Sequence, residues 1–262
     1  MKQILPFDVG FDITPASNPL GFVYGSNVFG PPVEYRRLDD IRKNLIDPSC
    51  SGPEIVYAIA MDVGRKQDFD AICTRNLLFG AVTYATGSLG REPIRSQGHI
   101  HAVSPSCGSS TCEVYEIWTG NAIIYMQETA QDDPGRCFAV DALPGDVVIV
   151  PPGWAHCTIS ANKHEQMTFG AWCVRDYGFD YKDIRAHGGP AWFPLYHGDE
   201  IRFEANPRYK VEQVIEKRPR IYNEFGLESG KSIYRQFTED PDRFLFVSQP
   251  HLADPFWRSF TP

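Results

Sequence analysis

The residues of this chain best suited to chemistry are His99 and His101 in Gly98-His99-Ile100-His101, Glu113 in Glu113-Val114-Tyr115, and His156 at the end of a run that begins at Pro144. In an extended strand, residues two apart share a face, so His99 and His101 project together, as do Glu113, Tyr115 and Ile117 on the next strand. One interior can hold all four donors. Three neutral imidazoles and a carboxylate suit a first-row divalent ion. They also leave coordination positions open for water or substrate oxygens, which is the geometry of a catalytic site. The bland alternative is histidines satisfied one at a time by local hydrogen bonds; it fits a lone His better than this joint pattern.

The elements that must position these residues are short. From Glu54 to about Val174 the sequence runs in brief apolar or alternating stretches, punctuated by Gly, Pro and Asp at roughly ten-residue spacing. They are Ile55-Ala60, Leu77-Ala85, Glu113-Thr119, Ala122-Gln127, Cys137-Val140, Val147-Val150 and Met167-Val174. No helical pattern long enough for a βαβ crossover intervenes, so the chain reads as all-β, a sandwich or small barrel. Before this block, residues 1–36 are rich in Pro, Gly, Asn and aromatics and read as an arm lying across a sheet. Leu38, Ile41 and Leu45 recur at helical spacing behind Asp39 and Asp40, predicting a short helix. The division is 1–53, arm and short helix; 54–210, the β-barrel with the metal site; and 211–262, an extension of unassigned role. Residues 175–262 show weak periodicity and are read as wrapping the core.

Composition narrows the function classes. Lys and Arg number 25 against 33 Asp and Glu, a net charge of -8, which is the wrong sign for a nucleic-acid binder but leaves room for a locally positive pocket. No apolar run of about 18 residues is present to span a membrane. The seven cysteines form no CxxC pair, and Met1-Lys2-Gln3-Ile4 opens no export signal, which points to a reducing, cytoplasmic setting. Cys107 and Cys112 are close in sequence and are read as packing residues in preference to a disulfide or metal pair.

At this point the chain resembles the cupin superfamily. One cupin motif has the form His-x-His, a spacer and Glu-x6-Gly, and His99, His101, Glu113 and Gly120 fit it. The other has the form Gly-x5-Pro-x-Gly-x2-His, and Gly145, Pro151, Gly153 and His156 fit it. The spacer from Ala102 to Cys112 is longer than the family's and is expected to form a loop beside the pocket mouth. The finer resemblance is to the cupin-type glucose-6-phosphate isomerases of archaea and some bacteria. It rests on Tyr35-Arg36-Arg37-Leu38, the paired Gly-His-x-His and Glu-Val-Tyr, Pro-Pro-x-Trp-Ala-His at 151–156, and Asn206-Pro207-Arg208. It covers about residues 5–210.

The resemblance implies a jelly-roll fold, a homodimer and one divalent metal ion per chain. Iron is the first choice, with zinc, manganese or nickel as alternatives, held by His99, His101, Glu113 and His156. It implies a sugar-phosphate substrate, with Tyr115 lining the sugar site as a catalytic and binding group, and Ser96 with the Gly98 backbone at the phosphate. Aldose–ketose isomerisation needs a polarised carbonyl, a proton moved between carbons 1 and 2, and a stabilised enediolate. Glu113 is the candidate base; a direct hydride shift would need none. Arg91 and Arg95 stand before the His-x-His strand as candidate phosphate charges or as solvated loop residues. Glu116 is read as solvated or paired, and His164, His187 and His197 as surface residues.

Four positions depart from the family pattern, at Val82, Gly153, Trp172 and Phe179, each expected to remove a polar group from the sugar pocket. Thr83 is expected to face away from Val82. Three functions therefore compete: a metal-dependent sugar-phosphate isomerase, a cupin dioxygenase or an enzyme of another sugar, and a non-catalytic sugar-binding cupin.

Overall fold

The computed structural model describes residues 4–262; the first three residues of the N-terminal stretch considered for an export signal lie outside it. Two antiparallel sheets face each other. The larger runs in the order Val147–Val150, Glu113–Thr119, Thr168–Val174, Leu77–Tyr84, Ile55–Met61 and Glu34–Arg37. The smaller runs Ala155–Ser160, Ala122–Gln127, Cys137–Ala142 and Val214–Lys217, the last joining in parallel. The sheets form a jelly-roll sandwich and do not close into a barrel, so of the sandwich or small barrel expected from sequence it is the sandwich that forms.

Alternation sorts the side chains. On the larger sheet Tyr115, Ile117, Val148, Phe169 and Cys173 point inward, meeting Ile124, Met126, Phe138 and Val140 of the smaller sheet. Their neighbours Val114, Trp118, Phe79 and Trp172 point outward and are buried all the same. The cover over them comes from both ends of the chain: Val9, Phe11 and Ile13 from the arm, and Tyr234, Phe237 and Phe244 from the C-terminal segment. Because both faces are covered, Leu77–Tyr84 and Glu113–Thr119 are buried at every position, and their sequences read as continuous apolar runs with little alternation. Gly170 is dictated by this outer packing, since a Cβ there would lie 2.3 Å from the Trp118 ring.

The outer face of the smaller sheet is covered by a hairpin, Trp192–His197 with Glu200–Ala205. The sequence reading left this hairpin inside the weakly periodic segment, and it also omitted the helix Phe69–Thr74. The short helix expected after Leu38 is present as Leu38–Ile41, followed by a 3-10 turn at Arg42–Asn44. Among the described residues no helix is long and apolar enough to cross a membrane, and all seven cysteines are free.

Candidate metal centre and substrate cavity

The His-x-His segment is bracketed on both sides. His99 forms an isolated bridge with His156, and Ile100–His101 pairs with Phe179–Asp180. Gly98, at φ 90°, turns the chain into this position in a conformation that favours glycine. Glu113 enters from the larger sheet and His156 from the smaller, so the centre lies between the layers.

The ligand atoms of His99, His101, Glu113 and His156 all lie within 4.8 Å of one another. Oε2 of Glu113 stands 3.2 Å from Nε2 of His101 and 3.3 Å from Nε2 of His156. Each of those rings is oriented from behind: Nδ1 of His101 is 3.0 Å from the Thr111 carbonyl and Nδ1 of His156 is 3.1 Å from the Trp154 carbonyl. A proton on each Nδ1 leaves the Nε2 lone pair aimed inward, the tautomer a metal ligand needs. The loop from Ala102 to Cys112 thus orients His101; none of its residues lines the cavity.

Burial, reinforced by the neighbouring His156 and His101, pushes the His99 imidazole well below its usual range and keeps it neutral. Burial works the other way on Glu113, but hydrogen bonding to His101 and His156 outweighs it and holds the carboxyl well below the ordinary value. A neutral imidazole at His99 beside an ionised Glu113 carboxylate is the pairing of protonation states that divalent ions bind. Nε2 of His99 is buried without a hydrogen-bond partner, an otherwise costly arrangement that a metal ion would relieve. The donor set therefore fits the group.

The remaining sequence candidates separate clearly. Tyr115 donates its hydroxyl to Oε2 of Glu113 at 2.7 Å, and burial first, then that carboxylate, keeps its phenol protonated far above neutrality. Ser96 lines the cavity, where its hydroxyl accepts from the Thr158 amide at 3.1 Å and adjoins the Tyr84 hydroxyl. Gly98 lies near His156 and Cys157 and is not among the residues lining the cavity. Val82 and Phe179 both face the cavity, the Phe179 ring lying 4.5 Å from that of His99. Thr83 points away and meets Thr168 at 2.9 Å.

Trp172 does not face the cavity. It projects outward, its Nε1 donating to the Ile233 carbonyl at 3.2 Å. Strand alternation turns its neighbour inward, and Cys173 lines the cavity with Sγ 3.4 Å from Oε1 of Glu113. Gly153 also lies off the cavity, with nothing within 4 Å of the position a Cβ would take.

Arg95 is neither a phosphate ligand nor solvated. Fully buried, it is paired with Glu92 at 2.5 Å and donates to the Asn44 and Ser96 carbonyls. Arg91 is exposed on Glu204. His187 is no free surface residue, since it stacks on Tyr209 at 4.0 Å and reaches Asp132. Glu116, expected to be solvated or paired, is buried and accepts from Trp118 Nε1 and the Ile233 amide, each at 2.9 Å. The sequence reading had no signal for Cys173, Tyr177 or Tyr181 in the cavity wall, apart from the alternation of Tyr177, Phe179 and Tyr181 itself.

A protein-family model described as Glucose-6-phosphate isomerase (GPI) matches residues 43–209. The glucose-6-phosphate isomerase of Thermococcus onnurineus is 28% identical over 181 residues, covering 67% of this chain and 87% of that protein. That of Pyrococcus furiosus is 27% identical over 188 residues, covering 69% of this chain and 90% of its own. Among solved structures, an oxalate oxidase superposes with a TM-score of 0.36 at 14% identity, over 50% of this chain and 56% of that one.

Proposed function

The chain belongs to the glucose-6-phosphate isomerase family, and we propose that it interconverts glucose 6-phosphate and fructose 6-phosphate with one divalent metal ion per chain. The observation that carries this reading is the convergence of His99, His101, Glu113 and His156 within 4.8 Å of one another beside a cavity lined largely by aromatic side chains. These four residues would hold the ion, iron being the first choice and zinc, manganese or nickel the alternatives. When bound, such an ion supplies Lewis acidity to the substrate carbonyl and to the charge that develops as the neighbouring carbon loses its proton.

The chain's own groups divide the remaining work. Oε2 of Glu113 is turned toward the imidazoles and Tyr115, which leaves Oε1, beside Cys173, as the base that carries the proton between carbons 1 and 2. Tyr115, kept protonated, fixes the carboxylate plane. Ser96 offers its hydroxyl hydrogen to a phosphate oxygen. Phe169, Phe179 and Tyr84 exclude water from the reacting carbons, which strengthens each polar contact there. Cytoplasmic location and a homodimer are parts of the same proposal; sedimentation at a mass of two chains supports the second.

The test is NADPH formation from fructose 6-phosphate coupled to glucose-6-phosphate dehydrogenase, on protein stripped of metal and reloaded with iron, manganese, zinc or nickel. Metal-dependent turnover, reduced at least about 100-fold in both His99→Ala and Glu113→Ala, is expected. With glucose 6-phosphate deuterated at carbon 2 as the substrate, loss of the label to solvent identifies proton transfer; its full retention in the product identifies a direct hydride shift. The apolar wall formed by Val82, Phe169 and Phe179 favours one alternative reading, an iron-dependent dioxygenase. Oxygen uptake by the iron-loaded protein, with no isomerisation, would establish it. Binding of the sugar phosphate with neither turnover nor oxygen uptake would mark a non-catalytic sugar-binding protein.

A further inference from the structure

The cavity carries one fixed positive charge that the chemistry above does not use. Arg36 lies on the edge strand Glu34–Arg37, opposite Tyr57, and is the single lysine or arginine among the residues lining the cavity. Its outside partner is weak: Nη1 is 3.2 Å from Oε2 of Glu34, whose side chain is 65% exposed while that of Arg36 is 25% exposed. An ion pair of that kind contributes little in water. On its other side the guanidinium adjoins the phenols of Tyr57 and Tyr181.

Polar groups continue inward from there. Tyr57 stacks on Tyr84 at 4.9 Å, Tyr84 adjoins Ser96, and Tyr181 adjoins Gln97. The intervening wall is apolar. A phosphate dianion entering such a cavity gives up hydration, and a hydroxyl such as Ser96 returns a hydrogen bond but no charge. Arginine returns both, through a planar fork that matches two phosphate oxygens. The other nearby arginines are committed elsewhere: Arg95 is buried on Glu92, and Arg185 lies over the Tyr181 ring at 4.5 Å, bonded to Gln97, outside the lining.

Resting on the isomerase reading for the identity of the sugar, we propose that Arg36 is the residue that selects phosphorylated over unphosphorylated sugars. It receives the phosphate at the Arg36 and Tyr181 end of the cavity while carbons 1 and 2 lie at Glu113. Arg36 touches the substrate far from the bond changes, so it sets binding and specificity, not the rate of proton transfer.

The experiment compares gluconate 6-phosphate with gluconate by titration calorimetry on the wild-type protein, Arg36→Gln and Arg36→Lys, alongside fructose 6-phosphate kinetics. The wild type is expected to bind the phosphorylated acid at least about tenfold more tightly, and Arg36→Gln to abolish that preference. In turnover, Arg36→Gln raises KM about tenfold or more and changes kcat less than about threefold. Should Arg36→Gln fail to fold, Arg36→Lys decides, because loss of the fork is expected to cut the preference at least about threefold. A wild type without the preference, or either folded variant that keeps it whole, overturns the proposal. The two readings fail separately. A phosphate preference dependent on Arg36 in a protein that does not isomerise leaves Arg36 standing and removes the isomerase; turnover with an unchanged KM in Arg36→Gln does the reverse.

Discussion

At the scale of single residues, the site is held by contacts made to Glu113 from several directions. Its two oxygens have different company: Oε2 meets two imidazoles and the Tyr115 hydroxyl, and Oε1 meets the Cys173 thiol. A hydrogen bond to a charged group contributes about 1.5–3 kcal/mol. Tyr115→Phe is therefore expected to lower kcat by roughly 10-fold to 100-fold. The ring still packs on Phe169, 4.9 Å away, so the fold should persist. Thermal unfolding measured beside kcat checks this; an unchanged kcat would reduce Tyr115 to packing. Of the four residues expected to change the sugar pocket, only Val82 and Phe179 face it.

At the scale of elements, the strand Glu113–Thr119 serves two faces at once. Its inward residues build the site, while on the outer face Glu116 fastens the C-terminal segment through the Ile233 amide and Trp118 stacks on Phe79 of the same sheet. Burial pushes the Glu116 carboxyl from 4.5 up to about 8, although the Ile233 and Trp118 hydrogen bonds oppose the shift. The folded state thus retains a proton that the unfolded chain releases. Stability is greatest below about pH 4.5 as far as this group is concerned, and it declines as pH rises through the unfolded value toward about 8. Glu116→Gln removes the ionisation and keeps one acceptor oxygen, so one of the two donors, which now meet different carboxyl oxygens, loses its partner at every pH. Its melting temperature should fall less than that of the wild type between pH 6 and pH 9, on the order of a few degrees. Parallel pH profiles for the two proteins would exclude Glu116 as the cause.

At the scale of the whole molecule, residues 211–262 complete the sandwich from outside. They add a parallel strand to the smaller sheet and lay Tyr234, Phe237 and Phe244 against Phe79 and Trp172. Buried aromatic side chains cover roughly 150–250 Å² each, so removal of this segment would uncover an apolar patch far larger than soluble monomers tolerate. A chain ending at residue 210 is expected to aggregate on size-exclusion chromatography; a monodisperse, active truncation would show the cover to be dispensable. The convergence of His99, His101, Glu113 and His156, the all-β class and the bounds of Glu113–Thr119, Ala122–Gln127 and Val147–Val150 were legible in the sequence. The reason is local: Gly, Pro and Asp punctuation ends strands, and a two-residue period fixes which donors share a face. Whether Trp172 or Cys173 enters the cavity was not legible, because a register slip of one residue reverses every side chain and the register is set by partner strands. The burial of Arg95, the position of Arg36 as the lone cavity cation, and the joint cover from both ends of the chain depend on residues distant in sequence. Only the packed tertiary structure, where each layer excludes water from the next, decided them.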